Sequence, residues 1–218
     1  MPEWFWYIVS PLVFGGYFYY RWKQKQQTHN EYAEIADKLG WEYVKSDRSY
    51  VSRFGRYEPF DDGRFRRAEH VFRGVYRGRP LTVFDFSAVV DRGENRTERR
   101  HHQVVAVGLP SPQPSLAVGP RGFIGGLAQR IGLSFNETGD EKFDSRYAVT
   151  TRDKAFAARF LNDDVRRFLL ARSSEAVFRI IDDELVVWRR GPLYIDDLEP
   201  YADFVNNLLD RVGELRNA

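Results

Sequence analysis

Residues 68–90 read AEHVFRGVYRGRPLTVFDFSAVV. Two runs, about Ala68 to Tyr76 and Pro80 to Val90, are rich in Val, Phe and Tyr, and Arg77-Gly78-Arg79 between them has the character of a hairpin turn. A third run follows from His102 to Leu109 and a short one from Ser115 to Val118. Glycine or proline at each break favours an antiparallel meander. Between the second and third runs, Asp91 to Arg100 (DRGENRTERR) is charged at nearly every position and reads as a solvated loop. Leu109 to Pro114 (LPSPQP) reads as a stiff proline connector. Upstream, Ser46 to Arg67 is charged and irregular, punctuated by Pro59 and Asp62-Gly63.

Helical periodicity brackets these strands. Thr28 with Glu31 fits a capping box, and Tyr32, Ile35, Ala36 and Leu39 recur at helical spacing until Gly40 ends the stripe. Phe123, Ile124, Leu127 and Ile131 predict a second helix. Asp153 is placed to cap a helix carrying Phe156, Ala157 and Phe160, and Asp163 one carrying Val165, Phe168 and Leu169. Ala176 to Ile181 and Leu185 to Arg189 form a second hairpin about Asp182-Asp183-Glu184. The last helix has the cleanest face: Tyr201, Phe204, Val205, Leu208, Leu209, Val212 and Leu215, with Asp197 as cap and Pro200 in the first turn. A long C-terminal helix laid on an antiparallel sheet is an α+β arrangement.

The N-terminus is of another kind. Residues 4–20 (WFWYIVSPLVFGGYFYY) carry no formal charge. A helix of that length spans about 26 Å, slightly short of a ~30 Å hydrocarbon core. Trp4, Trp6 and Tyr7 at one end, with Tyr17, Tyr19, Tyr20 and Trp22 at the other, resemble interfacial aromatic belts. A cleaved signal peptide lacks support, since Glu3 precedes the run and no small-residue cleavage site follows. Pro11 and Gly15-Gly16 keep a re-entrant segment open as a competing reading. The expectation is a single transmembrane anchor over 1–22, a juxtamembrane linker over 23–30 and a soluble α+β domain over 31–218. Arg21, Lys23 and Lys25 follow the run and none precedes it, so the positive-inside rule places the soluble domain in the cytoplasm. The same three cations are candidates for contact with anionic lipid.

The chain's 218 residues contain no cysteine, which excludes disulfides, thiol nucleophiles and cysteine-held metal clusters. A net charge of +2 gives no argument for a nucleic-acid partner. Thirteen arginines against eight acids between Arg48 and Arg100 interleave, as expected of a mixed solvated surface. His101-His102 sits without the spacing of a metal site, and strand neighbours point to opposite faces. Gly119 to Arg130 (GPRGFIGGLAQR) places glycines before a helix but matches no phosphate-binding fingerprint. Asp61-Asp62, Asp182-Asp183 and Asp196-Asp197 read as turn and cap residues. No cofactor or metal is expected, and no residue is assigned a catalytic role.

Several short segments carry a family likeness: Leu39-Gly40-Trp41, Pro59-Phe60-Asp61-Asp62-Gly63, Gly78-Arg79-Pro80 before Val83-Phe84-Asp85-Phe86, Val104 through Pro110, Leu116-Ala117-Val118, Phe143 through Val149, and Asp153 through Ala157. On these the chain resembles a family of uncharacterised membrane-anchored proteins of actinobacteria. The resemblance covers most of the soluble part and implies an organisation, with no chemistry attached. The expected function is a membrane-tethered binding or scaffolding module of unknown partner. The alternative is an enzyme, a hydrolase or transferase acting on lipid or envelope precursors, for which a deep pocket lined by His70, His102 or Asp85 would speak.

Overall fold

Residues 28–39 form helix α1, which ends in a Schellman-type turn: Gly40 takes φ +68° and Trp41 N–H reaches back to the carbonyl of Ala36 at 2.7 Å. The computed structural model describes residues 28–93, 96–121, 136–172 and 177–212. After α1 come β1 (Glu42–Ser46), α2 (Ser49–Phe54), β2 (Arg64–Tyr76), β3 (Arg79–Asp91), β4 (Thr97–Gly108) and β5 (Leu116–Pro120). Then follow α3 (Glu141–Arg146), β6 (Tyr147–Thr151), α4 (Lys154–Phe160), α5 (Asp163–Leu170), β7 (Val177–Ile181) and β8 (Glu184–Arg190). A 3₁₀ turn (Ile195–Asp197) leads into the last helix, α6 (Leu198–Val212). The eight strands make one antiparallel sheet in the order β1-β2-β3-β4-β8-β7-β5-β6. This is the α+β class expected, with the C-terminal helix in place.

The two-residue period of the strands divides the core by face. Leu81, Val83, Val105, Val107, Leu185 and Val187 point to the front, where residues of α1, α4, α5 and α6 join them in one cluster. Phe84, Phe86, Val104, Ala106, Val186 and Trp188 point to the back, beneath Tyr50 and Phe54 of α2 and Phe60 of the following loop. Phe54 and Phe60, both fully buried, are each worth about 1.5–3 kcal/mol of removed apolar surface. Gly74 is required by packing: a Cβ there would lie 2.2 Å from Cδ1 of the buried Trp41.

Several expectations change. The charged stretch after Asp91 is mostly strand, since Thr97 to Arg100 pair with Asp91 to Ala88, and the loop shrinks to a few residues about Gly93. Alternation along a long twisted hairpin keeps its polar tip in the ladder, so composition alone misplaced the turn. β2 likewise starts at Arg64, passing two register shifts that contain Phe65 and His70, both at φ +52°. The region read as irregular contains α2. The meander holds through β4, which then pairs with β8, with β5 and β6 at the far side. Asn162, rather than Asp163, caps α5 by accepting from Val165 N–H at 3.0 Å. Asp153 does cap α4, accepting from Phe156 N–H at 2.8 Å. Thr28 already lies inside α1 and is not its cap.

No helix among the described residues is long and apolar enough to cross a membrane. The anchor over 1–22, the cations Arg21, Lys23 and Lys25, and the helix expected about Phe123 to Ile131 lie outside the described residues.

Candidate functional site

The sheet has two ends. One carries the β2–β3 turn, the end of β4 and the β7–β8 turn, and we call it the turn end. Arg77 and Gly78 take φ +50° and +79°, and Asp182 φ +52°, which gives the tight two-residue turns their twist. The C-terminal part of α6 reaches the same end, and a groove of about 880 Å³ opens between them. Pro80, Leu109, Pro110 and Leu209 supply its apolar lining.

Its charged rim is engaged in pairs. Arg53 Nε lies 3.0 Å from Glu184, with Asp183 at 3.7 Å from the same guanidinium. Arg79 donates to Asn206 Oδ1 at 2.8 Å and to Asp210 at 2.7 Å. Arg77 donates to Asp203 at 2.7 Å and to Asn207 at 3.1 Å. Burial pushes the Glu184 carboxyl above its ordinary range, with Arg53 opposing. Such a rim offers a partner exchangeable hydrogen bonds around an apolar floor, which is recognition chemistry.

A second polar assembly lies on the front face. Asp85, 7% exposed, faces His101 Nδ1 at 3.0 Å and accepts from Leu193 N–H at 3.4 Å. Burial raises the Asp85 carboxyl, and the His101 bond works against that rise. Next to it Gln103 donates to Asp197 at 2.8 Å and to the carbonyl of Pro192, and accepts from Arg189. Arg189 also pairs with Asp197 and lies over the Tyr201 ring at 5.0 Å. The assembly pins the segment between β8 and α6 to the sheet. Asp197 thus serves this network, where the sequence suggested a helix cap.

The residues that an enzyme reading needed do not converge. His102 lies on the back face, 6.3 Å ring to ring from Phe86, beside a cavity of about 100 Å³. Burial first, then Arg100 and Arg190, lower its pKa to about 4. Asp85 is on the opposite face. His70 belongs to a third place: Tyr43 Oη lies 2.9 Å from its Nδ1 and 2.7 Å from His29 Nδ1. One hydroxyl proton serves only one of those nitrogens, so the other ring must donate to the oxygen. Burial and His29 lower His70 to about 4. His101 and His102 indeed diverge to opposite faces. Asp182-Asp183 forms the β7–β8 turn, Asp62 lies 3.6 Å from Arg100, and Asp196-Asp197 sits in the 3₁₀ turn. Gly119 and Pro120 end β5, and most of the stretch up to Arg130 lies outside the described residues. Among the described residues no group of three or more His, Asp or Glu could hold a metal.

The groove residues escaped the sequence reading. Asn206 is wholly buried between Val205 and Leu209, accepts from Arg79 and donates to the carbonyl of Ala202 at 2.9 Å. A polar residue flanking the apolar stripe of α6 was the available signal. The Asp85–His101 contact depends on strand register, which no local pattern encodes.

Neither a protein-family model nor a curated protein sequence matches the chain. Among solved structures, the fold is similar to the crystal structure of the mycobacterial trehalose monomycolate transport factor A, TtfA. That likeness has a TM-score of 0.54 at 13% identity and covers 87% of this chain and 94% of that one. The neighbour is thus an actinobacterial protein, and the likeness is one of fold.

Proposed function

We propose that the chain is a membrane-tethered binding or scaffolding module, with residues 4–20 as the tether and the turn-end groove as its partner surface. The observation that carries this reading is the rim of the groove. Arg53, Arg77 and Arg79 are each held by an acid or amide, around an apolar floor, in a groove of about 880 Å³. Paired charges bordering apolar surface are what interfaces use. The shared fold with a protein described as a transport factor supports a non-catalytic, transport-associated role. The domain belongs on the cytoplasmic side, by the cations that follow the uncharged run.

The test uses the full chain in its native membrane. A photo-crosslinking residue at Asp210 should give one protein adduct of fixed mass, and the same residue at Ser145, exposed on α3, should give none. Indistinguishable adduct patterns at the two positions would sink the groove as the partner surface. A cytoplasm-specific reporter fused after Ala218 should be active, and activity of only an exported reporter would reverse the orientation.

A further inference from the structure

At the end of the sheet opposite the groove, β2 begins at Arg64 and the β3–β4 connection turns about Gly93. Arg64, Arg67, Arg92, Arg96, Arg99 and Arg100 gather there, against Asp62, Glu69, Asp91 and Glu98. Four acids engage or neighbour part of this set: Glu98 pairs with Arg92, Asp62 lies 3.6 Å from Arg100, Glu69 lies 3.8 Å from Arg67, and Asp91 accepts from Gly93 N–H. Arg64, Arg96 and Arg99 have no acidic partner among the described residues, and Arg99 donates to Ser87 at 3.1 Å. Among them stands Phe65, 71% exposed with its backbone at φ +52°. An aromatic residue held outward in a left-handed conformation gains nothing from the core and is disfavoured by its own backbone.

The path of α1 orients this end. Trp41, just past the C-terminus of α1, packs on Gly74 and Tyr76 near the turn end, whereas His29 meets His70 with ring centroids 5.3 Å apart. Followed backwards, α1 therefore runs from the turn end toward the arginine end. Only residues 21–27 separate Tyr20, the last of the uncharged run, from Thr28. Eight peptide steps reach at most about 29 Å. The N-terminus of α1 thus meets β2 at its midpoint, His70, with the helix pointing on toward the arginine end, so that end is the one α1 faces as the chain leads back to residues 4–20.

We propose that the arginine end is a lipid-contact surface, with Phe65 inserted at headgroup level and Arg64, Arg96 and Arg99 placed against the phosphates of anionic lipid. The proposal rests on reading residues 4–20 as the tether. Charge supplies attraction within a Debye length of about 8–10 Å, and the exposed ring supplies the apolar contact. The contact would fix the domain's orientation, with the groove facing away from the membrane.

The chain has no cysteine, so one introduced thiol reports one position. Full-length Phe65→Cys and Val75→Cys proteins, each carrying a bimane label, are reconstituted in nanodiscs of phosphatidylcholine with or without phosphatidylglycerol. Val75, 63% exposed near the turn end, is the control position. The label at 65 should shift to the blue and be quenched by lipid-borne nitroxide in phosphatidylglycerol discs at low salt, and lose both signals at high salt. Adding Arg64→Gln and Arg96→Gln should lower that contact equilibrium about 25-fold, from roughly fivefold per arginine. Equal quenching at 65 and 75, or quenching at 65 indifferent to phosphatidylglycerol and salt, overturns the proposal and leaves the tether standing. A chain that fails to co-elute with discs of either kind overturns the tether and this proposal together.

Discussion

The two ends of the sheet are built from the same strands yet carry opposite charge. Among the described residues, Arg64, Arg96 and Arg99 stand without acidic partners at one end. At the other, Arg53, Arg77 and Arg79 face Asp183, Glu184, Asp203 and Asp210. A net charge of +2 conceals this. An antiparallel chain visits the two ends alternately, so charges that interleave in sequence become sorted in space. Near an anionic surface, one end is drawn in and the other pushed out, which orients the domain without any specific bond.

If the packing beneath α6 holds both ends together, loss of one large side chain there should be felt at both, and this is the largest expected effect. Phe204 is 6% exposed, stacks on Phe168 at 5.5 Å and sits mid-face on α6. Phe204→Ala should cost about 3–5 kcal/mol and lower the melting temperature by on the order of 10 °C. Labels at positions 65 and 75 should report one shared transition, and two separate transitions would break the picture of a single cooperative unit.

The ends should answer pH in opposite senses. His102, buried at the arginine end, has its pKa lowered from 6.5 to about 4. Its contribution to stability is complete above pH 6.5 and is lost as pH falls through 4, a difference of about 3 kcal/mol. Glu184, at the groove, is raised from 4.5, so its contribution is complete below pH 4.5 and is lost as pH rises through the higher folded value. Urea titrations from pH 7 to 4 should therefore show His102→Gln losing less stability than wild type. Glu184→Gln should instead lose more over the same range. Parallel curves for both variants would remove electrostatic character from the contrast.

A smaller effect confines itself to the groove. Asn206→Ala leaves Arg79 without one acceptor and should cost about 1–3 kcal/mol. Hydrogen exchange should rise at the β2–β3 turn and stay unchanged at Arg64–Arg67; a rise at both would mean that Asn206 supports the whole sheet. Smallest of all, Arg64→Gln should change stability by no more than about 0.5 kcal/mol in solution, by thermal melt. A larger loss would give Arg64 a structural role in place of a surface one.

Much of the fold was legible because its signals are local. Period-two runs marked β3 and β7, Gly40 and Gly78 marked turns, and the face of α6 from Tyr201 to Val212 is buried as its spacing demands. Strand ends were not, because Thr97 to Arg100 are polar residues held in a ladder by their partners and not by their own propensity. β6 went unread for a similar reason: YAVTT is too short to stand apart from α3 and α4. The groove joins Arg53, Arg79, Glu184 and Asp210 across the length of the chain, so it exists only after folding. The separation of Asp85 from His102 follows from the strand period, although His101 as its partner needed the register.

Mechanical load gives a further meaning to the way α1 is attached. If residues 4–20 tether the domain as proposed, tension from the membrane would reach the described residues first at α1. It meets α1 before it meets the sheet. Tyr32 Oη donates to the carbonyl of Leu193 at 3.0 Å, and its ring packs edge-on against His70 at 4.6 Å. These contacts stitch the first helix to the strands and to the segment that delivers α6, so a pull is shared between the two halves of the front layer. Under such a tether the helix would act as a fuse, expected to strip away under force and lengthen the leash while the eight-stranded sheet stays whole.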